Sequence, residues 1–141
     1  MTTIESVRNY IKECPHLSEF HKGINVNYLG EEDDSYCIEE TPANPIIKKY
    51  IDGSTVRRFL FVFASKEAFG QDVMQNIENS GFYEKFATWL EEESNKGNLP
   101  ILGKGKEARK IQANTNGYLF NAEMDRASYQ IQLELIYYQQ K

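Results

Sequence analysis

The sequence predicts an α+β fold: a mainly antiparallel sheet built from hairpins, with helices packed on one face. The first observation is residues 55–66, Thr-Val-Arg-Arg-Phe-Leu-Phe-Val-Phe-Ala-Ser-Lys, which hold the longest strongly apolar run, Phe59 to Ala64. Alternate side chains of a strand point to opposite faces, so Phe59, Phe61 and Phe63 share one face and Leu60, Val62 and Ala64 the other. Both faces are apolar, which predicts a central strand covered on both sides, by helices on at least one. A short buried helix is the competing reading. Aromatic and β-branched content and the preceding Asp52-Gly53 favour the strand. The second observation is that hairpin signals recur, at Asp52-Gly53 and Asn116-Gly117, where tight primed turns need positive φ. The third is that helical periodicity is confined to two regions, without the strand–helix alternation that builds parallel sheets.

The elements follow in order. Residues 2–14 form an amphipathic helix, capped by Thr2 or Thr3, with Ile4, Val7, Ile11 and Cys14 on one face and Pro15 ending it. Residues 24–29 alternate, placing Ile24, Val26 and Tyr28 inward. Residues 35–41 form a second strand, joined to the first as a hairpin by the acidic turn at 30–34. Pro42 and Pro45 bound a loop. Residues 46–51 lead through Asp52-Gly53 antiparallel into the organising strand.

Helix returns after residue 65. Val73, Met74 and Ile77 share a face of a helix opened by Gln71 and Asp72, which Ser80-Gly81 interrupts. A second helix, 82–94, presents Phe82, Phe86, Trp89 and Leu90 as one stripe, with Glu91, Glu92 and Glu93 outside. Asn95-Lys96-Gly97 stops it. After a loop at 99–106, strands at 107–115 and 118–123 form a hairpin about Asn116-Gly117. A turn at 124–127 leads to the last strand, 128–138, giving a three-strand meander. In the last strand Tyr129, Ile131, Leu133, Leu135 and Tyr137 alternate with Gln130, Gln132 and Glu134. One face is buried; the other is wet or covered by a partner.

A chain of 141 residues suits one domain, 1–141, with no need of a metal or disulfide for stability. No apolar run approaches the roughly 20 residues that span a bilayer, and the N-terminus has no signal-peptide pattern. Cytoplasmic synthesis follows, and in that setting Cys14 and Cys37 are expected as thiols. The net charge of −5 opposes non-specific duplex binding but allows a local basic patch.

Candidate chemistry is sparse. Cys14, His16, His21 and Cys37 match no common zinc spacing, and no nucleophile elbow accompanies a Cys–His pair. Glu31, Glu32, Asp33 and Asp34 lack the glycine and spacing of a calcium loop and read as a solvated turn. Gly103-Lys104-Gly105-Lys106 resembles part of a phosphate loop, but a strand follows where a P-loop needs a helix. What remains is a basic loop suited to solvent, a phosphate backbone or an acidic partner. The expectation is no enzyme, no cofactor and no metal. Arg57 and Arg58 at the hairpin end, and Lys104, Lys106, Arg109 and Lys110 in and after the loop, are the interface candidates. A small ligand-binding domain or enzyme, with a pocket between sheet and helices, is the alternative.

Three stretches carry a resemblance: residues 55–66; Gly81-Phe-Tyr-Glu-Lys-Phe-Ala-Thr-Trp-Leu90; and the ending from Gly117-Tyr-Leu-Phe through Ala127-Ser-Tyr-Gln-Ile-Gln-Leu-Glu-Leu-Ile-Tyr-Tyr138. In length and element order the chain resembles the tail-terminator, or tail-completion, minor structural proteins of long-tailed bacteriophages of Gram-positive bacteria. The resemblance implies a phage or prophage subunit that forms a ring, expected to be six-fold, at the head-proximal end of the tail tube. Its implied partners are other copies of itself, the major tail protein and the head–tail connector, with possible DNA contact in the lumen and no membrane. The implied location is the virion tail, and the host cytoplasm during assembly.

Overall fold

The computed structural model describes residues 2–17, 24–26, 35–68, 73–123 and 126–141. The elements are α1 (Thr3–Ile11), β1 (Ile24–Val26), β2 (Ser35–Glu40), β3 (Ile46–Lys49), β4 (Thr55–Ala68), α2 (Val73–Asn95), β5 (Lys106–Ala113), β6 (Tyr118–Glu123) and β7 (Arg126–Gln139). Seven strands make one sheet, antiparallel except at its β1 edge, with α1 and α2 on one face. This is the α+β architecture expected from the hairpin signals.

Two long strands set the frame. β4 and β7 pair antiparallel over their whole length, from Thr55↔Gln139 to Ala68↔Arg126. Along the other edge of β4 lie β2 and β3, end to end. Between these two, Thr41 N–H donates to Leu60 O (3.0 Å) and Arg58 N–H to Pro45 O (2.8 Å), so the ladder continues past the proline loop. Along the other edge of β7 lie β6 and β5, also end to end. The β3–β4 hairpin is as expected, with Gly53 at φ 92° after Asp52.

Four expectations need correction. First, β1 and β2 run parallel, Ile24↔Tyr36 to Val26↔Ile38, so they are not a hairpin. Alternation reveals a strand, not its direction, and a parallel pair cannot close through a tight turn. Ile24 is buried but Val26 is 39% exposed. Tyr28, Leu29 and the acidic turn lie outside the described residues. Second, β5 and β6 do not pair with each other; both pair with β7. Asn116-Gly117 therefore links two collinear strands rather than turning a hairpin. Gly117 answers a packing demand: a Cβ there would stand 2.2 Å from Tyr83 Cβ.

Third, α2 is one helix of 23 residues, running through Ser80-Gly81. A glycine in a helix interior costs about 1 kcal/mol relative to alanine, too little to end a helix whose next turns bury Tyr83, Phe86 and Leu90. Gln71 and Asp72, and the side chains of Val73, Met74 and Ile77, lie outside the described residues. Fourth, the organising strand is covered on both faces only at its Ala64 end, where Ala64 and its partner Cys37 are buried. Phe61 and Phe63 are buried, whereas Leu60 and Val62 on the other face are half-exposed.

The core fills the space between helices and sheet. Thr2 caps α1, its Oγ1 accepting the Glu5 N–H (3.3 Å), and the helix turns Val7, Tyr10 and Ile11 inward. Cys14 lies just past its end but is buried as expected. A run of rings crosses the molecule: Tyr36 stacks on Phe63 (5.4 Å), Phe63 on Phe86 (4.8 Å), Phe86 meets Trp89 (6.1 Å) and Trp89 meets Tyr10 (5.4 Å). Ile131, Leu133 and Leu135 of β7 complete the floor as the alternation predicted. Tyr83 sits in this layer with its hydroxyl satisfied, donating to Tyr129 O (2.9 Å) beside Ser65 Oγ (2.6 Å). α2 ends in paired backbone bonds, Asn98 N–H to Glu93 O (2.9 Å) and Gly97 N–H to Ser94 O (3.1 Å), with Gly97 at φ 80°. The expected stop is thus met by a left-handed glycine.

Candidate interface on the open sheet face

The face of β4 and β7 away from the helices carries the even-numbered residues. Val56, Leu60 and Val62 lie opposite Tyr138, Glu134 and Gln132, and all except Glu134 are half-exposed or exposed. Glu134 is 8% exposed; it accepts from Gln112 Nε2 (3.0 Å) and lies 3.6 Å from Arg58. The face is not uniform: Cys37 and Ala64, paired in register, are both buried.

At the β3–β4 hairpin end, cations and rings alternate. Lys48 Nζ lies 5.1 Å over the Tyr50 ring, Tyr50 is 6.5 Å from Tyr138, and the Arg109 guanidinium lies 5.3 Å over Tyr138. Three different strand regions meet here because β4 pairs with both β3 and β7, and β5 begins beside the end of β7. The register of β5 slips between Ala108 and Lys110, at Arg109, and this bulge sets Arg109 over its ring. At the hairpin tip Ile51 is fully exposed, and Ile46, Ile47 and Tyr50 are each about 40% exposed. Within the turn Ser54 donates both its N–H (2.9 Å) and its hydroxyl (2.5 Å) to Asp52, holding that carboxyl below its ordinary pKa.

The six basic candidates do not form one patch. Arg58 and Arg109 belong to the open face. Arg57, one residue along the strand, is on the helix side, where its Nε donates to Thr55 Oγ1 (3.0 Å). Lys106 is also on that side, 5.8 Å over the Tyr137 ring and 3.5 Å from Thr3 Oγ1. Lys104 is exposed in the loop; Lys110 stands opposite Ile136 next to inward-facing Ile111, so it too belongs to the open face, at the rim of a groove with Glu91 and Asn95 of α2. Tyr50 and Tyr138 are the members that sequence reading missed. Tyr138 had a signal: if Tyr137 faces inward, its neighbour must face outward.

Elsewhere, a cavity of about 330 Å³ opens between α1 and the end of α2, lined by Tyr10, Glu13, Trp89, Leu99 and Ile101. A second hollow of about 390 Å³ does lie between helix and sheet, lined by Ala87 and Glu91 of α2 and by Lys110 and Ala113 of β5, where the ligand-binding alternative predicts a pocket. Burial, then the Glu93 carboxylate, pushes the Tyr10 hydroxyl up to about 12. Cys14 and Cys37 lie apart in the fold, Cys14 after α1 and Cys37 on β2, and His16 is exposed. His21 lies outside the described residues. Among the described residues no three His, Cys, Asp or Glu side chains group to hold a metal, and no helix is long and apolar enough to cross a membrane. No family model and no curated protein matches the chain.

Proposed function

We propose that this chain is a non-enzymatic structural subunit that works by docking, and that it serves as a phage tail terminator. In this reading it forms a ring-shaped oligomer, six-fold, that caps the tail tube and joins it to the head connector. Its place is the virion tail, with assembly in the host cytoplasm. The observation that carries the reading is the open sheet face: half-exposed Leu60 and Val62 run toward a hairpin end bearing Lys48, Tyr50, Tyr138 and Arg109, with Ile51 fully exposed. Apolar groups beside tyrosines and an arginine are the composition of protein–protein contact surfaces, with a lysine such as Lys48 suited to the rim.

Strand edges support the same reading. On β6, Leu119 is 46% and Phe120 66% exposed beside the irregular pairing with β7. An exposed apolar edge invites pairing with another chain, and ring closure is one way to cover it. The partners in this reading are the neighbouring copies, the major tail protein and the connector, and DNA in the lumen is a further contact.

The test is a phage carrying this gene, with the gene deleted. Tails of irregular length, not joined to heads, are expected, and the intact gene supplied in trans should restore both. Uniform tails joined to heads without it would end the proposal. A second reading, a small-ligand-binding domain, draws on the 330 Å³ cavity at Tyr10 and Trp89. A fragment screen read by shifts in the Trp89 fluorescence separates the two.

A further inference from the structure

We propose that the basic, ring-bearing end of the open sheet face in one copy docks on the acidic outer face of α2 in a second copy. The inference rests on the docking reading above and names the two surfaces that meet.

Charge is divided unevenly over the chain. Residues 46–58 and 103–110 hold eight of the 16 Lys and Arg but two of the 21 Asp and Glu, a net +6 in a chain of net −5. The fold joins these segments at one end of the sheet, where Lys106↔Gln139 and Gln139↔Thr55 lie side by side. α2 carries the opposite sign, with five Glu and one Lys in 23 residues. Glu84, Thr88, Glu91 and Glu92 recur at helical spacing and are exposed, so they share its outer face. A depression there of about 420 Å³, lined by His16, Glu84, Lys85, Thr88 and Glu92, can take a side chain from another molecule, its two carboxylates outnumbering the single lysine.

The two surfaces face away from each other, because the helices cover one side of the sheet and the ladder lies on the other. A contact between them is therefore heterologous, and repetition closes a ring or runs on as a filament. Lys48 and Arg109 supply the charge that Glu84 and Glu92 complement, and Ile51 supplies an apolar anchor. Complementary charge of this kind steers association and is weakened by salt. A polynucleotide suits the ladder less well: Tyr50 and Tyr138 each already carry a cation over the ring, where a base would stack.

The experiment is sedimentation velocity on the full chain at about 50 mM and about 500 mM salt. The parent should associate with concentration at low salt and lose this at high salt. Two double variants, Lys48→Glu with Arg109→Glu and Glu84→Lys with Glu92→Lys, should each associate at least about tenfold more weakly. Mixed in equal amounts they should associate again, since each then offers what the other lacks; recovery also shows that both are folded. A parent that stays monomeric at low salt overturns the proposal, as do variants that associate like the parent or a mixture that does not recover. Loss of single-stranded oligonucleotide binding in the Lys48/Arg109 variant, with association unchanged, gives the surface to nucleic acid instead. Failure here leaves the tail-length phenotype of the deleted gene unaffected, so the two readings fall separately.

Discussion

β4 and β7 present two faces built from the same two strands, and the faces differ in what covers them rather than in how apolar β4 is. On the helix side Phe61, Phe63, Leu133 and Leu135 are at most 1% exposed. On the other side Leu60 and Val62 remain half-exposed beside Gln132 and a largely buried Glu134. An apolar strand residue thus reports a demand for cover without saying whether this chain or another molecule supplies it. The polar alternates of β7, Gln130, Gln132 and Glu134, mark the face that the described residues leave open along Leu60 and Val62.

Paired truncations break or sharpen that contrast most directly. Phe63→Ala, removing a ring stacked on Tyr36 and Phe86, should destabilise by about 3–5 kcal/mol. Val62→Ala, one residue along but half-exposed, should stay within about 1 kcal/mol. Urea denaturation of both variants measures the difference; equal losses would mean that the open face is packed as tightly as the other.

Two glycines should give effects of opposite sign. Gly117→Ala places a Cβ 2.2 Å from Tyr83 Cβ, which must shift from its bonds to Ser65 and Tyr129, at about 1–3 kcal/mol. Gly81→Ala meets nothing within 4 Å and should stabilise the continuous α2 by about 0.5–1 kcal/mol. A destabilising Gly81→Ala would mean that the helix is interrupted there after all.

Much of the architecture was legible because it rests on local patterns. Thr2 at the cap, Phe82 to Leu90 as a stripe, Gly97 as the stop and Asp52-Gly53 as a turn each act over a few residues. What escaped depends on distant partners. Asn116-Gly117 looks like a hairpin, yet what requires its glycine is Tyr83, 34 positions away. The placing of β1 likewise involves distant partners: it pairs parallel with β2, and Arg8 Nε donates to Ile24 O (2.5 Å), tying the strand to α1. The candidate surface was half legible. Its cations stood out as a cluster, but strand alternation separates Arg57 from Arg58, and Tyr50 and Tyr138 come together only through the pairing of β4 with both β3 and β7.

The smallest effect expected tests the covered side through its proton chemistry. Burial pushes the Cys14 thiol from an ordinary 9.0 up to about 11, only partly offset by backbone hydrogen bonds from His16 and Leu17. The folded protein therefore holds this proton more tightly than the unfolded chain. Its contribution is complete below pH about 9 and is lost as pH rises toward about 11. Tyr10 adds a similar fall between 10 and about 12. Thermal unfolding from pH 8 to 11 should show Tm dropping above pH 9, and Cys14→Ala should flatten the first part of the drop by on the order of 1 kcal/mol, roughly 3 °C. Tyr10→Phe should instead lower stability at every pH, by about 1 kcal/mol for its bond to Asn98 O (2.8 Å), and flatten only the later part. If Cys14→Ala kept the parent's full alkaline fall, the thiol would not be held under the helix layer, and the covered face would be more open than its packing implies.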